Sequence, residues 1–237
     1  MKNFVVITQP IKDQTKGLTN YLSYLVSTKH KNHRDKTRIV PIHSTIKKLL
    51  NHCIGQITER NLERKKAKKG GRDISSYAQS FVFSLPPDIY LNDEQWKQVA
   101  MSVFCDLASY LNLPKTTLSK SCFINLHDQE NQHINLVVSK VIDGTVCKDI
   151  QKKAVLSLLK QSFNAAVLKT TNINHLTYKT KTSRAKRYTN SFYQENKEII
   201  NALDTNNYEI EPLKVSGAAE QPYLKRDHKR TYTRTYQ

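Results

Sequence analysis

An α+β fold, one antiparallel sheet with helices packed on it, is what this sequence predicts, on three observations. Short β-branched runs alternate in part and end at Pro or Asp-Gly, as strands do. Between them lie longer stretches with apolar residues at helical spacing. The last two predicted strands, 120–127 and 132–142, are joined by too few residues for a crossover and must pair antiparallel. The element order β-α-(α)-β-α-β-β-α then suits one sheet layered with helices.

Each element has its own signal. Residues 3–9 (NFVVITQ) are apolar and β-branched, and Pro10 ends them. Leu18, Tyr21, Leu22, Leu25 and Val26 make a stripe that predicts an amphipathic helix over 17–30. Ile46, Leu49, Leu50, Cys53, Ile54 and Ile57 make a second stripe. It runs into ERNLERKKAKKGGR, which reads as a mobile basic loop. The run 77–85 (YAQSFVFSL) is a strand closed by Pro86-Pro87. Asn92 or Asp93 caps a helix over 93–111, whose apolar stripe includes Trp96, Val99, Val103, Leu107 and Tyr110. Asp143-Gly144 turns the chain after the last strand. A helix over 148–168 buries Val155, Leu158, Leu159 and Phe163.

Lys and Arg total 38 against 20 Asp and Glu, a formal charge of +18 in 237 residues. Such an excess repels itself in a compact state, and a polyanion partner offsets it. Nucleic acid is the first reading. An anionic membrane surface is second, because no basic amphipathic helix with a Trp/Phe/Leu face supports it. Mean hydropathy is -0.61, and no apolar run approaches the ~20 residues of a membrane span. The N-terminal apolar run is too short for a signal peptide, so a cytoplasmic protein is expected. Cys53, Cys105, Cys122 and Cys147 form no CxxC pair. Cys105 and Cys122 are expected as buried free thiols.

The densest chemistry lies in 121–141 (SCFINLHDQENQHINLVVSKV). Strand alternation points His133 and Asn135 the same way, and His127 leans over the same spot from across the turn. These are metal ligands in kind, with Asp128 and Glu130 beside them. A metal on a basic surface points to phosphodiester chemistry on nucleic acid. His30, His33, His43 and His52 carry no partner pattern and are expected at the surface.

Three segments together resemble the relaxases of the HUH endonuclease superfamily, in the MOB-P group of plasmid mobilisation proteins. They are GLTNYLSYL at 17–25, SFVFSLP at 80–86 and HDQENQHINLVVSKV at 127–141. The resemblance spans roughly 1–185. It implies a relaxase domain there, with a basic helical insertion at about 43–73 and a basic, Tyr-rich extension at 186–237. The histidine motif departs from the usual His-x-His, reading His133-Ile134-Asn135.

What the resemblance implies is a site- and strand-specific nick in single-stranded DNA at a plasmid transfer origin. Tyr24 matches the nucleophile position, with Tyr21 the runner-up. The product is a 5′-phosphotyrosyl link, which conserves the bond for rejoining. His127, His133 and Asn135 match the metal set, for Mg²⁺ or Mn²⁺ first and Zn²⁺ or Ni²⁺ next. Asp128 or Glu130 is the general base or supports a ligand. Ser84 ends the strand that holds DNA beside the nick. Arg60, Arg64, Lys65, Lys66, Lys68, Lys69 and Arg72 track the DNA backbone, with Lys179, Lys181, Arg184, Lys186 and Arg187 as a second set. Accessory origin-binding proteins, a coupling protein and a host helicase are the implied partners. Two other readings stand beside it: a rolling-circle initiator, which usually carries its Tyr after the histidines, and a catalytically silent DNA-binding protein.

Overall fold

A computed structural model describes residues 4–68, 70 and 73–179, and the elements below lie in the unit Met1–Ser183. Five strands form the sheet: β1 (Val5–Ile11), β2 (Arg38–His43), β3 (Ala78–Ser84), β4 (Cys122–Asp128) and β5 (His133–Ser139). Their order is β1-β3-β5-β4-β2, and every neighbouring pair is antiparallel. The α+β expectation therefore holds. The sequence reading passed over β2 (RIVPIH) and stopped β1 at Pro10. One physical reason covers both. Proline lacks the ladder N–H, which an edge strand can spare, and Pro10 and Pro41 lie on the two edge strands.

Alternation divides the sheet into two faces. Val6, Phe81, Phe83, Ile124, Leu126, Ile134 and Leu136 build the larger core. Helices α3 (Asp93–Tyr110) and α5 (Lys153–Thr171) cover it with Trp96 and Phe163. Asn92 and Gln95 close a reciprocal capping box at the start of α3. The helix predicted from 148 is two pieces, a 3₁₀ turn at Lys148–Gln151 and then α5. A short α4 (Lys115–Lys120) precedes β4, and a two-residue hairpin of β6 (Val141–Ile142) and β7 (Thr145–Val146) turns at Gly144, φ 71°.

The other face carries α1 (Gln14–Val26) and α2 (Ile46–Lys66) over Ala78, Phe123 and Val137. Gly17 belongs to the first turn of α1. A Cβ there would come within 1.8 Å of the Lys12 carbonyl oxygen, so only glycine fits. The helix ends four residues before its predicted end, where the Ser27 N–H returns to the Tyr24 carbonyl and turns follow.

In α2, Leu49, Cys53 and Ile57 are buried at spacing four, and no later residue of the helix is. Its basic half, read as a loop, is helix through Lys66, because Arg, Glu, Leu and Lys are strong helix formers. Among the cysteines, Cys53 and Cys122 are buried and Cys105 is half-buried. Burial pushes the two buried thiols up to about 11 and about 12. Among the described residues no helix is long and apolar enough to cross a membrane.

Candidate functional site

The β4–β5 hairpin sets the site. His127 pairs with His133 in register, and Asn125 with Asn135, so all four side chains share the face that carries α1. Ser84 of β3 is the register partner of His133 on its other side. A glutamine in the turn fixes the hairpin. Gln132 is 2 % exposed and its Oε1 accepts from the Leu91 N–H (2.8 Å) and the Trp96 Nε1–H (3.0 Å). Its Nε2 donates to the Leu91 carbonyl (3.1 Å) and to Asp128 Oδ1 (2.7 Å).

Helix α1 ends over this hairpin. Its Leu25 carbonyl, one of the last four that a helix leaves without an internal partner, accepts from Asn125 Nδ2 (2.7 Å) and His127 Nε2 (2.8 Å). Two residues on, the Ser27 carbonyl accepts from Nδ1 of His33 at 2.8 Å. His33 is 2 % exposed, and its ring lies 4.7 Å from that of His127, which lies 4.9 Å from that of His133. Tyr24 rests 4.7 Å from His33 and 4.8 Å, edge-on, from His30. His33 and His30 were expected at the surface. They belong to this cluster instead, because the turns after α1 fold back over the hairpin. The one available signal was their position, His30 six and His33 nine residues after Tyr24. His43 and His52 are likewise tied down, to the Ser119 carbonyl and the Ser121 hydroxyl.

A carbonyl can only accept, so these bonds fix tautomers. Neutral His33 and His133 carry hydrogen on Nδ1, the latter toward the Asn131 carbonyl (3.0 Å), and keep Nε2 as a base. His127 carries it on Nε2 and keeps Nδ1. Burial, then the neighbouring His133 and His33, hold His127 down to about 4, against the Leu25 bond. Burial also lowers His133. His127 is therefore uncharged at neutral pH. Asn135 is 3 % exposed, and its Nδ2 has no hydrogen-bond partner among the described residues.

Other expected residues fall elsewhere. Asp128 follows His127 on its strand and so points to the opposite face, where Arg38 Nη2 meets Oδ2 at 2.8 Å. It is a strut between β4 and β2 and also accepts from Gln132. Glu130 sits exposed in the turn with no hydrogen bond or ion pair among the described residues. Tyr21 is turned away, its hydroxyl 2.6 Å from Ser80 Oγ, and burial raises its phenol above the ordinary value. Ser84 Oγ donates to the Leu85 carbonyl at 3.4 Å. Arg60, Arg64, Lys65 and Lys66 line the outer half of α2 and Lys68 follows it, while Lys179 is exposed past α5. Arg64 donates to the Gly70 carbonyl. Lys69, Arg72, Lys181, Arg184, Lys186 and Arg187 lie outside the described residues. Among the described residues no three His, Cys, Asp or Glu side chains converge as a ready-made metal group.

No family model matches this chain, and no curated protein matches it. Solved structures do. A MobM relaxase domain (MOBV; Mob_Pre), bound to plasmid pMV158 oriT DNA and Mn-bound, superposes with a TM-score of 0.50 at 14 % identity. The match covers 82 % of this chain and 98 % of that one. A second crystal structure of that domain with oriT DNA gives 0.49 at 12 % identity, over 82 % and 99 %. A likeness at this identity is one of fold. This chain has the relaxase fold, with its histidine hairpin on two central strands.

Proposed function

We propose that this protein is a DNA relaxase that nicks one strand at a plasmid transfer origin and thereby starts conjugative mobilisation. One observation carries the reading: on a relaxase-fold sheet, the rings of Tyr24, His33, His127 and His133 form a continuous chain at the end of α1. The basic excess of the chain supplies the affinity for a polyanion.

In the proposed reaction the Tyr24 hydroxyl oxygen attacks the scissile phosphorus. The P–O3′ bond breaks, and its electron pair leaves on the 3′ oxygen, which takes a proton. A 5′-phosphotyrosyl link and a free 3′-OH result. The phenol proton passes to Nε2 of His33, the free basic nitrogen of the ring beside it.

The residues fit a divalent metal in kind. His133 keeps Nε2 free while Nδ1–H is anchored on a backbone carbonyl, the usual arrangement behind a metal-binding imidazole. His127 keeps Nδ1. The amide of Asn135 is buried with an unpaired end, and half a turn of that amide presents its oxygen there. His127, His133 and Asn135 would hold the ion, a mixed N/O set that suits Mn²⁺ or Mg²⁺ with water. When bound, it stabilises charge on the phosphate oxygens.

A second reading has His33 itself as nucleophile, favoured by that same unengaged Nε2. The test is a nicking assay on supercoiled DNA carrying the element's own transfer origin, with Mn²⁺ or with EDTA. Metal-dependent open circles with protein on one 5′ end support the relaxase. An acid-stable adduct lost in Tyr24→Phe, and kept in Tyr21→Phe, supports Tyr24. An acid-labile adduct lost in His33→Ala supports the second reading. Binding without cleavage under any metal returns the chain to a DNA-binding role.

A further inference from the structure

The sheet face that carries α1 is only partly covered. Helices α1 and α2 pack over Ile11, Ala78, Phe123 and Val137. On β3 the last contact from α1 is the Tyr21 hydroxyl against Ser80 Oγ. Beyond it β1 and β3 are open: Val5 is 38 % exposed and Ile7 59 %, with Val82 half-buried beside Ile7. Sheet register carries this apolar strip into the site. Val5, Ser84, His133 and His127 follow one line across four strands, and Ile7, Val82, Asn135 and Asn125 follow the next. Neighbouring strands lie about 4.8 Å apart, so Val82 is one strand from Asn135 and Ile7 two, roughly 10 Å.

The other side of the histidines is cationic. The turns after α1 carry Lys29, Lys31, Arg34 and Lys36, all exposed, against one acid, Asp35. None of the four makes an ion pair among the described residues. Backbone bonds fix these turns. The His33 and Arg34 N–H groups return to the His30 carbonyl at 2.8 and 2.9 Å, and those of Lys36 and Thr37 to the His33 carbonyl at 3.1 and 3.0 Å. The His30 ring, edge-on to Tyr24, accepts from the Asn32 N–H through Nδ1 (3.2 Å), which leaves its hydrogen on Nε2 as a further donor. A fixed cationic turn is what a phosphate backbone binds. Open apolar surface is what the flat face of a base covers. We infer that the single strand crosses the site with its backbone against this turn and the base beside the scissile phosphate on Val5, Ile7 and Val82. The substrate is that of the relaxase reading, on which the inference rests. The phosphates nearest the nick then belong to the turn rather than to the basic half of α2.

The test compares wild type, Ile7→Thr and the double variant Lys29→Gln with Lys31→Gln, each in the full chain. Two probes are titrated: a twelve-nucleotide oligothymidylate, and an abasic strand of the same length that keeps the phosphates and lacks the bases. All three positions are exposed, so equal melting temperatures are expected. Ile7→Thr is expected to bind the thymidylate about fivefold more weakly, through lost apolar contact, and the abasic strand unchanged. The double variant is expected to lose affinity for both strands alike, with the salt slope reduced by about 1.4 for two phosphates. Ile7→Thr that matches wild type on both strands, or weakens equally on both, overturns the inference. So does a double variant with the wild-type slope. Metal-dependent nicking of transfer-origin DNA without this crossed pattern defeats the inference alone. The crossed pattern without any nicking keeps the strand orientation and defeats the relaxase reading. Wild type that binds neither strand defeats both.

Discussion

Replacing Gln132 with Leu should unfold the protein at markedly lower denaturant and also weaken any nicking. The two amide atoms of Gln132 serve four groups, and three of these belong to fully buried residues: the Leu91 N–H and carbonyl and the Trp96 Nε1–H. Leucine is close in volume, so the cavity change is small and the loss is polar. A buried group left without a partner costs about 1–3 kcal/mol. With some relief from water, the three sum to about 3–5 kcal/mol. For a domain of this size, that lowers the melting temperature by roughly 6–20 °C. Urea unfolding of wild type and Gln132→Leu, with equal slopes, measures it directly. A difference below about 1 kcal/mol for Gln132→Leu would mean the hairpin is held by its strands alone, and the anchoring argument would be wrong.

Four further outcomes are expected. His127 sits near 4 in the folded chain against about 6.5 unfolded, so the folded state binds fewer protons between those values. Its contribution is complete above about 6.5 and is lost as pH falls toward 4, about 3 kcal/mol in the metal-free protein. Chemical denaturation across that range should be steeper for wild type than for His127→Gln. Gly17→Ala should destabilise by at least 2 kcal/mol, since its Cβ meets backbone that cannot move aside; thermal melts check this. Lys65→Gln with Lys66→Gln should weaken DNA binding uniformly across sequences and reduce the salt slope by about two, read by titration at several salt concentrations. Asn135→Leu should leave stability unchanged or higher, because it removes an orphaned amide, while lowering Mn²⁺ affinity in calorimetry.

Much of the sheet was legible because strand alternation is a local rule. It placed His133 with Asn135, and the short turn brought His127 across from them. The same rule, applied to Asp128, would have sent it to the other face; its acidity made it look like a base, and Arg38 was invisible as its partner. His33 was hidden for another reason. It lies in a run of turns, where no period says which way the chain returns, and the Ser27 carbonyl helps hold it over the hairpin. The β2 strand was masked by Pro41, whose tolerance depends on being at an edge, a property of the whole sheet. The outer half of α2 shows the converse case. Its propensity favoured a helix, but with no apolar stripe the charges dominated the reading.

The Leu25 carbonyl couples the length of one helix to the order of the site. Each residue of α helix advances the chain by about 1.5 Å and turns it by about 100°. A single residue inserted between Gly17 and Leu25 would carry this oxygen away from Asn125 and His127 together, and would swing Tyr24 off the His33 ring in the same motion. Point changes on the outer face of α1 leave that geometry intact. Insertions and deletions do not. Relatives of this chain are therefore expected to vary in the letters of the outer face of this helix but hardly at all in the distance between its glycine and its second tyrosine.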